Sequence, residues 1–472
     1  MNRDEYRSHD ATALAALIRQ RAVSPAEVLA TARALLEDCQ TRCNALAELY
    51  DDPDPAEDGA FHGVPMLFKD GGAHQAGRAQ HAGSTLLAGH VTPADTAVAR
   101  RLRHAGLVAL GRGRSSELTY HTSTESTAFG PVRNPWNPGH SAGGSSGGCA
   151  AAVACGAVPV AHATDGGGSI RIPAAWCGLV GLKPSRGRVS WAPGLDEALF
   201  GMAAEHVLTR SLRDSAALLD VLAGGEPGDP FAIAAPEDSF AETLDRPPPA
   251  GLRIGLVVDP WLPGCPVDPA LADAARRVAA LLAGAGHGVE ETAITLDAES
   301  WLGAIAATWC SQLSAWVAAA MAATGRTPED HLEPATLACH RYGAGLSAVD
   351  LNFALLTLNA VRRSVAAQTA PYDLLITPAT ATTAPVLGEY SPAQPVESAL
   401  AWTARMFRPA PFAALFNTTG QPALSLPVGL SSDGLPLSVQ IVARQGEEAL
   451  LLRAARVVEQ ALPFAGLPPG FQ

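Results

Sequence analysis

Between Pro131 and Gly187 the chain is dense in glycine, serine and proline, yet two long apolar stretches, AAAVACGAVPVAHAT and IRIPAAWCGLVGL, run through it. Glycine and proline normally punctuate loops, whereas apolar runs of this length belong in a core. A chain that interleaves them must carry tight, conformationally unusual turns into a buried scaffold. Two strings mark those turns: SAGGSSGG at 141–148 and TDGGGSIRIP at 164–173, which place Ser145 and Ser169 24 residues apart. Each serine follows glycines. Glycine adopts dihedrals that other residues avoid, so successive amide N–H groups can converge on one point, an arrangement that suits an oxyanion. Either string alone reads equally well as a loop that merely turns.

The flanking sequence predicts an α/β scaffold. ATALAALIRQ and SPAEVLATARALLEDC have helical spacing, with Ser24 as N-cap and Pro25 at the first helical position. GVPMLFKD is an apolar run ending at Lys69, and ADTAVARRLRHAG followed by LVALG is a helix feeding a strand. Residues 224–251 form a surface excursion, after which LRIGLVV, ALADAARRVAALLAGAG and VEETAI resume the alternation. A mainly helical block follows from Glu299, then the buried strand DLLITPAT, a hairpin formed by PALSLPVGL and LPLSVQIVA, and the closing helix EEALLLRAARVVEQ. No second domain is required.

Composition narrows the function. A net charge of −13 with arginines spread along the chain argues against a nucleic-acid surface. No run of about 18 apolar residues marks a membrane span, and eight scattered cysteines suggest reduced thiols in the cytoplasm with no cysteine-bound metal. Of 33 basic residues only Lys69 and Lys183 are lysine. Arginine is effectively never deprotonated, whereas a desolvated lysine can give up its proton and take another. Both lysines are therefore candidate bases. The apolar residues before Lys69 deliver it from the interior, and only Asp70 adjoins it as an acid in sequence.

GHSAG at 139–143 matches the G-x-S-x-G elbow of α/β-hydrolases and would nominate Ser141. Its context is wrong, because the elbow needs a strand before the serine and a helix after it, and Asn-Pro-Trp-Asn-Pro and Gly-Gly-Ser-Ser-Gly-Gly stand there instead. No histidine follows His340 to complete such a triad. His121, His140 and His162 lie near the motifs without metal-ligand spacing and read as solvated or hydrogen-bonded loop residues.

Taken together, GVPMLFKD at 63–70, GGSSGG at 143–148 and TDGGGSIRIPAAWCGLVGLKPSRGRVS at 164–190 resemble the amidase signature family. NPWN, ITPAT and TTGQPALSLPVGLSSDG look most like its bacterial aryl acylamidase and 6-aminohexanoate cyclic-dimer hydrolase branch. The resemblance implies a single α/β/α domain over 1–472 with a central twisted mixed β-sheet flanked by helices. Its parts are N-terminal helices at 1–60, a catalytic signature region at 61–223, the excursion at 224–251, a helical substrate-cap region at 299–365, and C-terminal strands and helix at 372–472.

By this resemblance Ser169 is the nucleophile, Ser145 relays its proton across a cis Gly144–Ser145 bond, and Lys69 is the base. The amides of Gly166, Gly167, Gly168 and Ser169 form the oxyanion hole. Asp165 and Arg171 flank the loop and are expected to support it, although a surface ion pair has the same sequence appearance. Lys183 falls in a segment to which the family gives a structural role. No metal or cofactor is implied. The substrate is a small carboxamide, linear or cyclic, and a homodimer is left open.

Where relatives often read G-K-T-N-x-P-E, this chain reads Gly111-Arg112-Gly113-Arg114-Ser115-Ser116-Glu117, which bears on substrate preference. Trp301, Trp309 and Trp316 share a helix face beside Cys310; Trp309 and Cys310 either line an acyl or aryl pocket or simply pack. The second reading is a glutaminase-type subunit of a tRNA-dependent amidotransferase. Its E-V-K-R-R-I-x-L-G-T-Y pattern is absent, the region reading PEDHLEPATLACHRYGAGLSAVDLN.

Overall fold

The computed structural model describes residues 1–463 and 466–471. Eleven strands form one sheet: β1 Leu46–Leu49, β2 Pro65–Lys69, β3 Val108–Gly113, β4 Val160–Asp165, β5 Val180–Lys183, β6 Ala204–Thr209, β7 Arg253–Leu256, β8 Gly288–Glu291, β9 Leu374–Pro378, β10 Ala423–Leu430 and β11 Pro436–Ala443. Their order is β1-β3-β2-β4-β6-β5-β10-β11-β9-β7-β8. β2 runs parallel to both neighbours, and β7 runs parallel to β8 and β9, while the middle of the sheet is antiparallel. The sheet is therefore mixed. Strands covered on both faces need no polar alternation, and accordingly every residue of β2, β4 and β9 is buried.

Helices flank the sheet. One core joins Leu35 and Leu36 of helix Pro25–Cys43 to Met66, Leu67, Val153 and Val160. Another joins Val278 and Leu451, from helices Pro269–Gly284 and Glu448–Ala461, to Ile376, Leu424 and Ile441. Ser24 caps its helix reciprocally with Glu27, and Pro25 occupies the first turn, as the sequence predicts. The C-terminal hairpin is present, with a register shift at Pro427 to Gly429, where proline is tolerated in a strand.

The helical block comprises Ala298–Thr324, Pro328–His331, Pro334–Ala344 and Ala348–Thr369. The first is about 40 Å long at 1.5 Å per residue. By length and composition it passes as long enough to cross a membrane, but 56% of its most apolar window is buried within the protein. Trp301, Leu313, Trp402 and Phe416 form the core beneath it. Two strands, β1 and β6, have no counterpart in the sequence reading. β6 seats a glutamate and a histidine, Glu205 and His206, at the centre of the sheet, where no apolar alternation announces it.

Candidate active site

β2 ends at Lys69, which is fully buried, and Gly71 and Gly72 follow with φ of 150° and 86°. The chain thus turns sharply once the lysine has been delivered. Lys69 Nζ donates to Ser145 Oγ at 2.6 Å and to Thr164 Oγ1, on neighbouring β4, also at 2.6 Å. Burial holds the ammonium down at about 7 against an ordinary 10.5. Cys149, Glu205, Asp165 and Asp70 act in the opposite direction. A lysine in this state exchanges a proton near neutrality.

Ser145 arrives through a cis Gly144–Ser145 peptide and precedes helix Gly147–Ala154. The glycines around it are spent mainly on close packing. A Cβ on Gly144 would lie 2.6–2.7 Å from backbone atoms of His121, Thr122 and Ser123, and one on Gly148 would lie 2.2–2.3 Å from Ala45 and Arg114.

Ser169 follows β4 in a loop organised by Asp165. The Asp165 carboxylate accepts from the amides of Gly168 at 2.7 Å, Ile170 at 3.2 Å and Arg171 at 3.3 Å. It also accepts from Arg171 Nε and Nη2 at 2.9 Å each and from Asn417 Nδ2 at 2.9 Å. Burial raises the acid's proton affinity, but Arg171 and Asn417 overcome it and hold the carboxyl well below its usual range. Asp165 and Arg171 are thus a buried pair and not a surface one, at 0% and 1% exposed. The same network engages one amide of the expected oxyanion hole. The Gly168 N–H donates to Asp165. Ser169 is the more open serine, 9% exposed against 0% for Ser145.

The whole chain matches known proteins. Residues 13–452 match the Amidase family model. The 6-aminohexanoate-cyclic-dimer hydrolase of Pseudomonas sp. strain NK87 is 36% identical over 98% of this chain and 96% of its own.

The chain belongs to the amidase family.

A 6-aminohexanoate cyclic dimer hydrolase structure complexed with substrate superposes with a TM-score of 0.92 at 34% identity, covering 98% of this chain and 99% of that one. A bacterial aryl acylamidase of the amidase signature family follows at 0.83 and 26%, covering 96% of each. The chain is accordingly an amidase signature enzyme that hydrolyses amides.

Beside the glycine loop of this amidase stands an apolar, aromatic wall. A Cβ on Gly166 would meet Leu199 at 2.5 Å, one on Gly167 would meet Trp309 at 2.6 Å and Phe407 at 3.1 Å, and one on Gly168 would meet Ile172 at 2.6 Å. Trp309 packs edge-on against Tyr120 and Phe407 with centroids 5.7 and 5.5 Å apart, and the Tyr120 hydroxyl lies 3.1 Å from Cys310 Sγ. The tryptophan stripe therefore divides: Trp309 faces the loop, while Trp301 hydrogen bonds Thr418 in the core and Trp316 packs at its edge. Tyr120, Leu199 and Phe407 were not singled out in the sequence. No local signal marks them, because they arrive from three separate segments. Gly167→Ala is expected to cost about 1–3 kcal/mol of stability by overpacking, and a second change, Trp309→Phe, is expected to recover part of it. Thermal unfolding of the single and double variants checks this.

The remaining candidates are sorted by geometry. Lys183 is also held near 7 by burial, with Arg171 acting in the same direction, so acidity does not separate the two lysines. Among the described residues its Nζ donates to the Pro184 carbonyl, at 2.8 Å, and to no serine. Ser141 Oγ accepts from the Gly143 amide and lies 3.1 Å from Ser123 Oγ, at 0% exposure and away from any strand-to-helix elbow.

The segment from Gly111 to Glu117 is bonded to the backbone of the site. Arg112 Nη1 donates to the Lys69 carbonyl at 3.0 Å, and the Ser116 amide donates to the Ser145 carbonyl at 3.1 Å, so the loop holds both residues from behind. His121 is hydrogen bonded, to Thr336 and Trp402. His162 is a strand residue, which corrects its reading as a loop histidine. Among the described residues, Cys39, Cys43 and Cys155 bring three buried thiols within 4.8 Å of one another, at the far end of the helix that starts beside Ser145.

Proposed function

We propose that this amidase cleaves small, neutral, largely apolar carboxamides, linear or cyclic, through an acyl-enzyme on Ser169. The observation that carries the reading is the buried 2.6 Å contact between Lys69 Nζ and Ser145 Oγ, in a lysine held near 7. Ser169 Oγ attacks the carbonyl carbon, its proton passes to Ser145, and Ser145 yields its own proton to neutral Lys69. The amides of Gly166, Gly167 and Ser169 receive the oxyanion, a contribution of about 2.7–4 kcal/mol per donor in acyl transfer. The proton returns through Ser145 to the leaving nitrogen as the C–N bond breaks, and water then hydrolyses the ester. Apolar neighbours at Gly166, Gly167 and Gly168 favour an uncharged acyl group, and the cyclic-dimer hydrolase relatives support a cyclic or short linear amide.

The test is a panel containing the 6-aminohexanoate cyclic dimer, short aliphatic amides and anilides, run on the single chain, together with mapping of the residue modified by a fluorophosphonate. Turnover of a neutral amide and an adduct on Ser169 are expected. An adduct on another serine, or a requirement for a second subunit, overturns the reading. Because Lys69 must be neutral to accept a proton, kcat/KM is expected to rise with pH through about 7 and to fall tenfold per unit on the acid side. A flat profile from pH 5 to 8 contradicts Lys69 as base.

A further inference from the structure

Four acidic or thiol groups oppose the effect of burial on Lys69, and the structure shows three of them to be occupied elsewhere or uncharged. Cys149, on helix Gly147–Ala154, remains a thiol because burial pushes it up to about 12. Asp165 is held by Arg171 and Asn417. Asp70 accepts from the amides of His81 and Gly83 at 2.9 and 3.0 Å. From β3, Arg112 donates to the Lys69 and Ala73 carbonyls and lies against the Tyr50 hydroxyl. Glu205 is left. It stands directly opposite Thr164 in the β4–β6 register, and Thr164 is the second partner of Lys69 Nζ.

Glu205 lies in a niche. A Cβ on Gly72 would meet Thr164 Cγ2 at 2.3 Å, Glu205 Oε1 at 2.7 Å and His162 Cε1 at 3.2 Å, so the glycine keeps open the space where these three converge. Glu205 and His162 have side chains 2% and 0% exposed, with Oε1 and Nε2 3.4 Å apart. Neither Glu205 Oε1 nor either ring nitrogen of His162 has a geometrically sound hydrogen bond to protein. A buried carboxylate with so little local compensation acts over a longer range than a fully bonded one.

We propose that Glu205, beside His162, is a positioning residue that sets the proton affinity of Lys69 from across Thr164. This rests on Lys69 being the base. The carboxylate favours the ammonium form, so Lys69 releases and regains its proton closer to neutrality than burial alone would allow.

The test uses the fact that the chain has only two lysines. Incorporating lysine labelled with carbon-13 at Cε gives two methylene signals, assigned by the loss of one in Lys69→Ala, and each is titrated with pH in the full chain. In Glu205→Gln the Lys69 midpoint is expected to fall by about one unit while the Lys183 midpoint stays. Glu205→Asp keeps the charge but withdraws it, and serves if the glutamine variant does not fold; it is expected to shift Lys69 the same way by less. A Lys69 midpoint that does not move in a folded variant, or two lysines moving together, overturns the proposal. The separate reading of Lys69 as base fails instead if Lys69→Ala is modified at Ser169 by the fluorophosphonate as fast as the unmodified chain.

Discussion

Ser169→Ala is expected to lower amide hydrolysis by roughly 10⁴- to 10⁶-fold while leaving the unfolding midpoint nearly unchanged. The proposed nucleophile has no substitute nearby, since Ser145 is 0% exposed and Ser141 is tied into the loop that carries it. Little stability depends on Ser169, because the loop around it is held by Asp165 through the amides of Gly168, Ile170 and Arg171. Ser145→Ala, which breaks the proton path but spares the nucleophile, is expected to lose about 10²- to 10⁴-fold. Initial rates on the best amide of the panel, with unfolding monitored by circular dichroism, check both. Residual Ser169→Ala activity above one part in a hundred would show that the attack comes from elsewhere.

Asp165→Ala is expected to be the most destabilising single change near the site, at about 3–5 kcal/mol. It leaves the Arg171 guanidinium buried beside Ala413, Asn417 and Gln440 with no anion, and it strands three loop amides. The Asp165 carboxyl is held below its ordinary 3.8, so this stabilisation is fully present at neutral pH. It is lost only as pH falls through the lowered folded value. Denaturant unfolding at pH 7 checks the size of the effect. A loss below about 1 kcal/mol, the range of an exposed pair, would mean the pair is worth no more than a surface contact.

The sequence disclosed the site through rare residues. Two lysines in a background of arginine, and two serines preceded by glycines, are legible because each departs from its surroundings. It misled where one residue type serves two purposes. Gly144 reads as part of an amide nest, yet its missing Cβ atom makes room for the chain's own backbone, as does that of Gly148. The N–H of Gly168, which the resemblance assigns to the oxyanion hole, donates to Asp165 in this structure. Arg112, within the segment that departs from the family pattern, lies on β3 and donates to the Lys69 carbonyl. β1 and β6 have no counterpart in the sequence reading because polar residues within them, Glu48, Glu205 and His206, break the apolar pattern.

By itself the sequence determined the fold class, the family and the identity of three candidate reactive residues, because these depend on periodicity and on local strings. The tertiary structure decided which lysine meets which serine. Both lysines are buried and both are held near 7, so only the strand order β3-β2-β4-β6 distinguishes them. That order places Lys69 between Ser145 and Thr164 and sets Glu205 across from it. Partners 76, 95 and 136 residues away along the chain leave no mark in the sequence around a lysine. Their field on its proton exists only once the sheet has closed and excluded water.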